Sequence, residues 1–364
     1  MASTAHVVMV VIDALPHRHV GPDTTPHLWS VAERGAIAPT GGRSVPVSVT
    51  YANHAALITG APPARTWVHG NHTWDGTGWT PAPKLGPRAP TLFDDVAAAD
   101  GTSVFIAGDH KLVHQMGATT ASFHWPPEGR IPDGTPRCIY GYAADDAVLD
   151  AATELLADLP LPDLVVIHLN EPDTAEHHFG PDSADALGRY RATDAVFGEL
   201  VELLRPCWDD LVLIVVSDHD QEEITDQIEA HGARAGVELE AAFADHEHAT
   251  VVHEGTGALI HVDPQANLQV VQNDALGVDG VGGIEPLDHD GPGSVLLAWT
   301  TPGRSFGTMP VDVRGQHGSP RCRTQVAVVA GGHPAAAELG LRITGSPPSI
   351  LDWAPAIRTL LTDR

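Results

Sequence analysis

Lysine is almost absent from this sequence, since Lys84 and Lys111 are the only two in 364 residues. Acidic residues number 47 against 20 lysines and arginines, which gives a formal net charge of −27. A surface of this sign repels nucleic-acid backbones and anionic membranes, so we expect neither a nucleic-acid polymer nor a membrane as partner. A phosphate-bearing substrate would need local positive charge, and bound metal ions are its natural source.

Cysteine and long apolar runs are also scarce. Cys138, Cys207 and Cys322 are scattered and odd in number, which argues against a disulfide framework and against a paired-cysteine metal site. The first apolar run ends at Asp13, no later run reaches the length of a membrane span, and the N-terminus lacks the basic stretch of a signal peptide. We therefore predict a cytoplasmic protein with free thiols.

Short apolar runs rich in β-branched residues have the composition of strands buried on both faces of a parallel sheet. They are VVMVVID (7–13), SVFIAG (103–108), LVVIHLNEPD (164–173) and LVLIVVSDHD (211–220). Between them, residues 143–159 and 184–204 carry apolar residues at the three- and four-residue spacing of helices. This alternation predicts an α/β fold with a doubly wound, mainly parallel central sheet and helices on both faces.

Residues 1–364 are predicted to form a single domain, because the sequence has no internal repeat and no clear linker. Two stretches, 72–142 and 221–290, are predicted to be loop or small cap insertions. A strand is expected at 255–262, whereas the segment 272–293 is rich in glycine and aspartate and is expected to form loops.

Polar residues follow the ends of the predicted strands, where ligands bind in sheets of this kind. The candidate metal ligands are Asp13, Asp173, His177, Asp218, His219 and His317. Asp173 and His177 are four residues apart, a spacing that puts both side chains on one side of a helical turn; His178 is the alternative to His177. Any one of these residues alone has an ordinary structural interpretation, and it is their joint occurrence that indicates a metal site.

Three aspartates and three histidines suffice for two divalent metal ions with three protein ligands each and open positions for substrate. Imidazole together with carboxylate favours Zn²⁺, with Mn²⁺ or iron as alternatives. Two such ions a few ångströms apart would stabilise the attacking and leaving oxygens of an in-line displacement at phosphorus. The sequence therefore predicts a two-metal phosphohydrolase that acts on a small-molecule phosphoester, with its oligomeric state open between monomer and homodimer.

The segment SVTYANHAALITG (48–60) predicts the entrance to a helix, with Thr50 just before the first turn. A threonine at this position is usually a structural N-cap. The alternative is that Thr50 coordinates a metal ion, which would lower the pKa of its hydroxyl and make it a nucleophile. The helix N-terminus would then hold an anionic phosphoryl group, and Asn53, one turn further on, could donate to a phosphoryl oxygen.

Several motifs occur in the order seen in the alkaline phosphatase superfamily. They are VVIDAL, SVTYANHAALITG, GN at 70–71, EPDTAEHHFGP, SDHD and GQHG, which together span residues 7–318. The sequence most resembles the type I phosphodiesterase/nucleotide pyrophosphatase branch. This resemblance implies an alkaline phosphatase-like fold and the hydrolysis of phosphodiester or pyrophosphate bonds, in nucleotide-type substrates, through a threonine nucleophile and a covalent phospho-enzyme intermediate.

The resemblance also implies how the candidate ligands are divided between two metal sites. One site would comprise Asp173, His177 and His317, and the other Asp13, Asp218 and His219, with the nucleophile Thr50 touching the second. Asn53 resembles the phosphate-binding asparagine of the family.

Three further residues are predicted to contact substrate. Tyr51 stands where relatives often place an aromatic side chain that packs on a nucleobase, and Asn71 matches an asparagine near the substrate pocket. Lys111 follows a predicted strand end and either faces the substrate or is an ordinary surface lysine.

Some positions depart from the family pattern and bear on the shape of the substrate pocket. Relatives usually have proline where this chain has Ala52 and glycine where it has Asp220, and many have His-Gly where it has Thr66 and Trp67. None of these changes removes a predicted ligand.

Other functions stay open on the sequence alone. A phosphonoacetate hydrolase would cleave a carbon–phosphorus bond, but Asp109 occupies one of the two positions where those relatives carry substrate-binding lysines. A phosphomonoesterase of the same superfamily and a metal-binding member without activity are the remaining alternatives. The histidine-rich tract at 245–253 is either an additional metal site or a flexible polar loop, and we prefer the loop.

Overall fold

The described part of the chain alternates strands and helices along most of its length. In this computed structural model the described residues are 5–157, 160–225, 229–230, 233–234 and 236–362. The strands are β1 (His6–Ile12), β2 (Ala36–Ile37), β3 (Gly42–Arg43), β4 (His72–Trp74), β5 (Trp79–Pro81), β6 (Ser103–Ala107), β7 (Phe123–Trp125), β8 (Leu164–Leu169), β9 (Leu211–Val216), β10 (Glu222–Glu223), β11 (Glu229–Ala230), β12 (Ala233–Arg234), β13 (Ala249–Glu254), β14 (Gly257–Val262), β15 (Val281–Leu287), β16 (Ser294–Thr300), β17 (Met309–Pro310), β18 (Gly315–Gln316), β19 (Thr324–Gln325) and β20 (Ala327–Ala330).

The helices pack around a central sheet. They are α1 (Pro26–Arg34), α2 (Thr50–Thr59), α3 (Pro63–Thr66), α4 (Leu92–Ala98), α5 (Leu112–Gln115), α6 (Asp145–Ala157), α7 (Glu171–Phe179), α8 (Ala184–Leu204), α9 (Leu239–Ala242), α10 (Leu268–Leu276), α11 (Pro334–Gly345) and α12 (Trp353–Thr362). The predicted helix at 184–204 is confirmed as α8. The predicted helix at 143–159 is α6, with residues 158–159 outside the described residues.

Seven strands form the central sheet in the order β2-β20-β9-β1-β8-β6-β7. β1 pairs in parallel with both β8 and β9, and β6 pairs in parallel with β8 and β7. β20 runs antiparallel to β9. This topology confirms the predicted, mainly parallel sheet. The register aligns Ile12 with Leu169 and Val11 with Val216, so the chain leaves β1, β8 and β9 at one edge of the sheet.

Both faces of the sheet are covered by helices, as predicted. Successive residues of β1 belong to different cores: Val7 and Met9 pack in the core formed with α2, α4, α11 and α12. Val8 and Val10 pack in the other core, with α1, α6 and α8. Because neighbouring side chains of a strand point to opposite faces, this near-continuous apolar run fits a strand buried on both sides.

A second sheet of four antiparallel strands, β13-β14-β16-β15, lies in the chain between β9 and β20 and has its own apolar core. The expectation that residues 272–293 form only loops is wrong, because α10 extends into this segment and β15 crosses it. The glycines that indicated a loop serve packing instead. A Cβ atom at Gly283 would come 2.3 Å from the Trp299 ring, so only glycine lets the edge strand β15 lie against that side chain.

The two stretches predicted as insertions contain regular structure. Residues 72–142 provide β6 and β7 of the central sheet, together with the β4–β5 hairpin. Residues 221–290 provide most of the four-stranded sheet, although 226–228, 231–232 and 235 lie outside the described residues. The assignment of the whole chain to one domain stays a prediction.

Two predictions drawn from what the sequence lacks can be compared with the described residues. Among the described residues, no helix is both long enough and apolar enough to cross a membrane. Cys138, Cys207 and Cys322 are free thiols, and Cys322 is buried. The cytoplasmic location stays a prediction.

Candidate active site

Polar residues that follow β1 and β8 line one cleft at the carboxyl edge of the central sheet, and Asp218 and His219, which follow β9, lie buried beside it. The cleft has a volume of about 430 Å³. Its lining includes Asp13, Thr50, Asn71, Asp173, His177 and His317. The parallel pairing explains this convergence, because parallel strands deliver the residues after their last positions to the same edge.

The first group of candidate metal ligands is Asp13, Asp218 and His219. One ligand atom from each lies within 4.8 Å of the others. His219 Nε2 is 3.6 Å from Asp13 Oδ1 and 3.3 Å from Asp218 Oδ2. Thr50 Oγ1 is 3.3 Å from the same His219 nitrogen, so the structure brings the predicted nucleophile to the edge of this group.

The second group contains Asp173 and His317, and it adjoins the first through His219. Ligand atoms of Asp173, His219 and His317 lie within 4.8 Å of one another. His177 Nε2 is 3.4 Å from Asp173 Oδ1, and His317 Nε2 is 3.8 Å from the same oxygen. The alternative ligand His178 is directed elsewhere, with Nδ1 3.5 Å from Asp312. The six residues therefore come together with His177, rather than His178, in the site.

The burial, mutual repulsion and hydrogen bonding of these carboxylates fit divalent cations. Asp13 Oδ1 and Asp218 Oδ2 are buried without a hydrogen-bond partner, an arrangement that is costly unless a cation compensates it. Burial, reinforced by the charges of Asp218 and Asp173, raises the pKa of Asp13 well above its ordinary value. His177 Nδ1 lies 2.9 Å from Gly315 O and His219 Nδ1 lies 3.2 Å from Asp220 O, which leaves each Nε2 for the site.

Thr50 is the first residue of α2, and the extended Val49 precedes it. The helix therefore begins one position earlier than the sequence predicted, and Thr50 makes no N-cap hydrogen bond to it. The next backbone N–H, that of Tyr51, donates to Asn71 Oδ1 at 3.1 Å. Among the described residues no group accepts a hydrogen bond from Asn71 Nδ2, so this amide can donate into the cleft that Asn71 lines.

The prediction that Asn53 contacts a phosphoryl oxygen is not supported by its surroundings. Its side chain is fully buried, its Oδ1 accepts from Val45 N at 2.9 Å, and its Nδ2 donates to Val47 O and Val49 O. All three bonds go to the backbone just before α2. Asn53 therefore shapes the segment that leads into Thr50, and Asn71 is the amide that reaches the cleft.

The substrate contacts predicted for Tyr51 and Lys111 stay predictions; Tyr51 lines the cleft, and both side chains have other partners. Tyr51 is 8% exposed and its hydroxyl donates to Asp109 Oδ2 at 2.9 Å, so little of its ring is available to a base. Burial raises the pKa of Tyr51 above its ordinary value. Lys111 Nζ donates to the Tyr142 hydroxyl at 3.2 Å and faces a neighbouring cavity instead of the cleft. Tyr140, which is 45% exposed, is more exposed than the other tyrosines that line the cleft, Tyr51 and Tyr142.

Three residues that support the candidate ligands were missed from the sequence. His168 Nε2 lies 2.9 Å from Asp13 Oδ2, and Gln221 Nε2 donates to Asp173 Oδ1 at 2.7 Å. His54 Nδ1 lies 2.8 Å from Thr50 O and 3.4 Å from Asp218 Oδ2. His168 carried a usable signal, since a histidine inside the otherwise apolar run LVVIHL needs a buried polar partner.

The histidine-rich tract at 245–253 does not form a metal site among the described residues. His246, His248 and His253 each face a different acid, at 4.0, 3.5 and 3.8 Å. The three-ligand groups found in the described chain each contain Asp13 or Asp173, which line the cleft. Part of the tract is the strand β13, which also differs from a flexible loop.

The sequence matches the model of the family described as type I phosphodiesterase / nucleotide pyrophosphatase over residues 7–279. A venom phosphodiesterase of Macrovipera lebetinus is 29% identical over 191 residues, which cover 50% of this chain and 21% of the venom protein. An uncharacterized pyrophosphatase/phosphodiesterase of Schizosaccharomyces pombe is 25% identical over 232 residues, which cover 60% of this chain and 45% of that protein. The chain thus matches less than half the length of these relatives.

Two solved structures share the fold. Murine ectonucleotide pyrophosphatase / phosphodiesterase 5, as an inactive variant in complex with AMP, superimposes with a TM-score of 0.75 at 17% identity, covering 98% of this chain and 95% of that one. Phosphonoacetate hydrolase from Sinorhizobium meliloti 1021 gives a TM-score of 0.73 at 18% identity, covering 99% and 96%. At these identities the likeness establishes the architecture.

Proposed function

The chain belongs to the type I phosphodiesterase/nucleotide pyrophosphatase family, and from this premise we propose that it hydrolyses phosphodiester or pyrophosphate bonds of nucleotide-type substrates with Thr50 as nucleophile. The observation that carries the proposal is the position of Thr50. Its hydroxyl lies at the start of α2, 3.3 Å from His219 Nε2. Beside it are the buried carboxylates of Asp13 and Asp218, each of which has one oxygen without a hydrogen-bond partner.

Two divalent cations fit the residues that surround Thr50. The proposed ligands are Asp13, Asp218 and His219 for one ion and Asp173, His177 and His317 for the other. The mixture of imidazole and carboxylate suits Zn²⁺ first, with Mn²⁺ or iron as alternatives. When bound, such ions supply the positive charge that lowers the pKa of an alcohol and neutralises phosphoryl oxygens.

The protein residues around the scissile phosphorus have separate roles in the reaction. Thr50 Oγ1 gives up its hydroxyl proton to solvent and forms a bond to phosphorus while the bond to the leaving oxygen breaks on the opposite side, and that oxygen takes a proton from solvent. Asn71 Nδ2 donates to a non-bridging oxygen, whose charge also faces the positive N-terminal end of α2. Water then attacks phosphorus and loses a proton, the bond to Thr50 breaks, Thr50 Oγ1 regains a proton and the phosphorylated product leaves.

The charge of the cleft favours a substrate with one negative charge at phosphorus. Among the described residues that line the cleft, none is lysine or arginine. A phosphomonoester carries an additional negative charge that would have to be neutralised here. Tyr140 lies on the cleft with its ring centroid 6.0 Å from that of His177, and its exposed face offers a surface on which a nucleobase can stack.

The test is a substrate panel on the metal-loaded full chain. The panel contains p-nitrophenyl phosphate, bis-(p-nitrophenyl) phosphate, a nucleoside triphosphate and phosphonoacetate. We expect the diester and the pyrophosphate bond to be cleaved fastest, and Thr50→Ala to lower kcat by roughly 10³-fold or more. Thr153→Ala, which alters an exposed threonine of α6 far from the cleft, is the matched control.

A second measurement identifies the nucleophile directly. Acid quenching during turnover followed by peptide mass spectrometry should place the phosphoryl adduct on the peptide that contains Thr50. Near-normal turnover by Thr50→Ala, or an adduct on another residue, would exclude Thr50. Phosphonoacetate as the preferred substrate would exclude the proposed diesterase activity.

A further inference from the structure

Glu254 is a buried carboxylate at the end of β13, outside the cleft and outside both ligand groups. Only 4% of the residue is exposed to solvent. Burying a charged side chain costs free energy of folding unless each of its oxygens accepts hydrogen bonds. The hydrogen-bond partners of Glu254 therefore indicate its structural role.

The partners of Glu254 are the backbone N–H groups of the Asn71 loop. Asn71 N donates to Glu254 Oε2 at 2.9 Å, and His72 N donates to Oε1 at 2.9 Å. The His72 ring adds a third contact, with Nδ1 3.0 Å from Oε1. Hydrogen bonds to a charged acceptor are stronger than those between neutral groups, so this carboxylate fixes the backbone on both sides of the Asn71 peptide.

The loop is also shaped to receive the carboxylate. A Cβ atom at Gly70 would come 2.6 Å from Glu254 Oε1, closer than any side chain tolerates. Glycine at this position therefore lets the carboxylate approach the N–H groups that follow it. The fit depends on Gly70 and Glu254 together, although the two residues lie far apart in the sequence.

The Asn71 side chain connects this loop to the nucleophile helix. Its Oδ1 accepts from Tyr51 N at 3.1 Å, directly after Thr50, and its Nδ2 is left to donate into the cleft. Glu254 thus holds the backbone of Asn71, and Asn71 in turn aligns its amide with the start of α2. The direction of the free N–H bonds of Asn71 depends on both anchors.

The turn between β13 and β14, which follows Glu254, contacts the loop that carries His317. Thr256 N donates to His317 O at 2.7 Å, and Ser319 N donates to Thr256 Oγ1 at 3.1 Å. The turn after β13 therefore touches two loops that end in the cleft. This gives the four-stranded sheet a physical connection to the site, which its position in the sequence did not indicate.

We propose that Glu254 is a positioning residue that acts through Asn71: it orients the Asn71 amide toward the phosphoryl group and so contributes to transition-state stabilisation without touching the substrate. The inference rests on the proposed function, since it assigns a support to one residue of that site. It makes the four-stranded sheet part of the catalytic scaffold.

The experiment is a double-mutant cycle on the metal-loaded full chain. The variants are Glu254→Gln, Glu254→Ala, Asn71→Ala and the combination of Glu254→Gln with Asn71→Ala. Glu240→Gln is the control, because it removes an exposed acid that faces the adjacent His253, whereas the backbone N–H groups of Asn71 and His72 donate to Glu254. We measure kcat and KM for bis-(p-nitrophenyl) phosphate, the dissociation constant of inorganic phosphate and the metal content.

We expect Glu254→Gln to lower kcat by about 10- to 100-fold with little change in KM or metal content, as for other supporting residues. An amide keeps one acceptor oxygen and therefore leaves one of the two N–H groups unpaired. The combined variant should lose no more activity than Asn71→Ala alone, because Glu254 acts through that side chain. Glu254→Ala should lose as much as Glu254→Gln or more, and Glu240→Gln should resemble the wild type.

If the fold-losses of kcat from Glu254→Gln and Asn71→Ala multiply in the combined variant, the inference is overturned. A wild-type kcat in Glu254→Gln would also overturn it. Phosphate affinity tests the same relationship without turnover: Glu254→Gln and Asn71→Ala should each weaken phosphate binding, and the combination no further. Phosphate binding unaffected by Glu254→Gln would contradict the inference. If the wild type binds phosphate but cleaves no phosphoester, the proposed function fails while the phosphate arm still decides the role of Glu254.

Discussion

His168 Nε2 lies 2.9 Å from Asp13 Oδ2, and both residues are buried at the carboxyl edge of the central sheet. This contact leaves Asp13 Oδ1 as the oxygen that faces His219. A neutral imidazole that donates to a ligating carboxylate fixes the orientation of the carboxylate and is a common support in metal sites.

His168→Ala should therefore weaken metal binding while leaving all six proposed ligands in place. We expect the apparent metal affinity to fall by about 10- to 100-fold, the range seen when such supports are removed. Competition with a chromophoric chelator measures this affinity directly. His248→Ala, which removes a half-exposed histidine near Asp263, is the control. Wild-type affinity in His168→Ala would show that Asp13 does not need this support.

Arg18 and Asp220 explain how the chain accommodates an acid where relatives usually have glycine. Arg18 Nη1 lies 2.7 and 2.6 Å from the two oxygens of Asp220. Arg18→Ala should destabilise the fold by roughly 1–3 kcal/mol, because it leaves a mostly buried carboxylate without its counter-charge. Adding Asp220→Gly should restore most of this loss. Urea unfolding measures both effects.

The exposed pair of Arg205 and Glu202 provides the control for that cycle. Arg205→Ala should change the free energy of unfolding by less than about 1 kcal/mol, as is usual for surface ion pairs. If Asp220→Gly fails to rescue Arg18→Ala, the ion pair is not the reason that the acid is tolerated.

The central sheet and the ligand cluster were predictable because their signals are local. An apolar run ending in a polar residue identifies β1 with Asp13 and β9 with Asp218, and parallel pairing brings such ends to one edge. The spacing within EPDTAEHHFGP indicates only in part which of its two histidines, His177 or His178, belongs to the site. The structure distinguishes them by their partners, Asp173 for His177 and Asp312 for His178.

The remaining features depend on contacts between distant parts of the chain. β15 was predicted as loop because its glycines carry no information about the Trp299 ring that they accommodate. The roles of Asn53 and Asn71 were not separable from the sequence, since both are asparagines near Thr50. Only the three-dimensional arrangement shows that the amide of Asn53 is hydrogen-bonded to the backbone at Val45, Val47 and Val49.

His69 should make the stability of the protein depend on pH. Burial, with the neighbouring His289 imidazole, lowers the pKa of His69 to about 4, whereas an unfolded chain binds this proton near pH 6.5. Between these values the unfolded state binds more protons, so the free energy of unfolding falls as the pH decreases from about 6.5 to 4, by at most about 3 kcal/mol. His69→Gln should flatten this part of the profile, measured by urea unfolding at several pH values. A slope equal to that of the wild type would show that the pKa of His69 is the same in the folded and unfolded states.

Asn53 and Asn71 should respond to alanine in opposite ways. Asn53→Ala leaves the buried Val45 N–H without its acceptor and removes the side-chain donor to the Val47 and Val49 carbonyls, which keep their backbone donors, so we expect it to destabilise the fold by roughly 1–3 kcal/mol. Asn71→Ala removes an amide that reaches the cleft, so we expect kcat to fall by about 10²- to 10³-fold, the range for losing one donor to a developing charge. Urea unfolding and steady-state kinetics on both variants separate the two effects. The assignment fails if Asn53→Ala is as stable as the wild type and carries the kinetic defect instead.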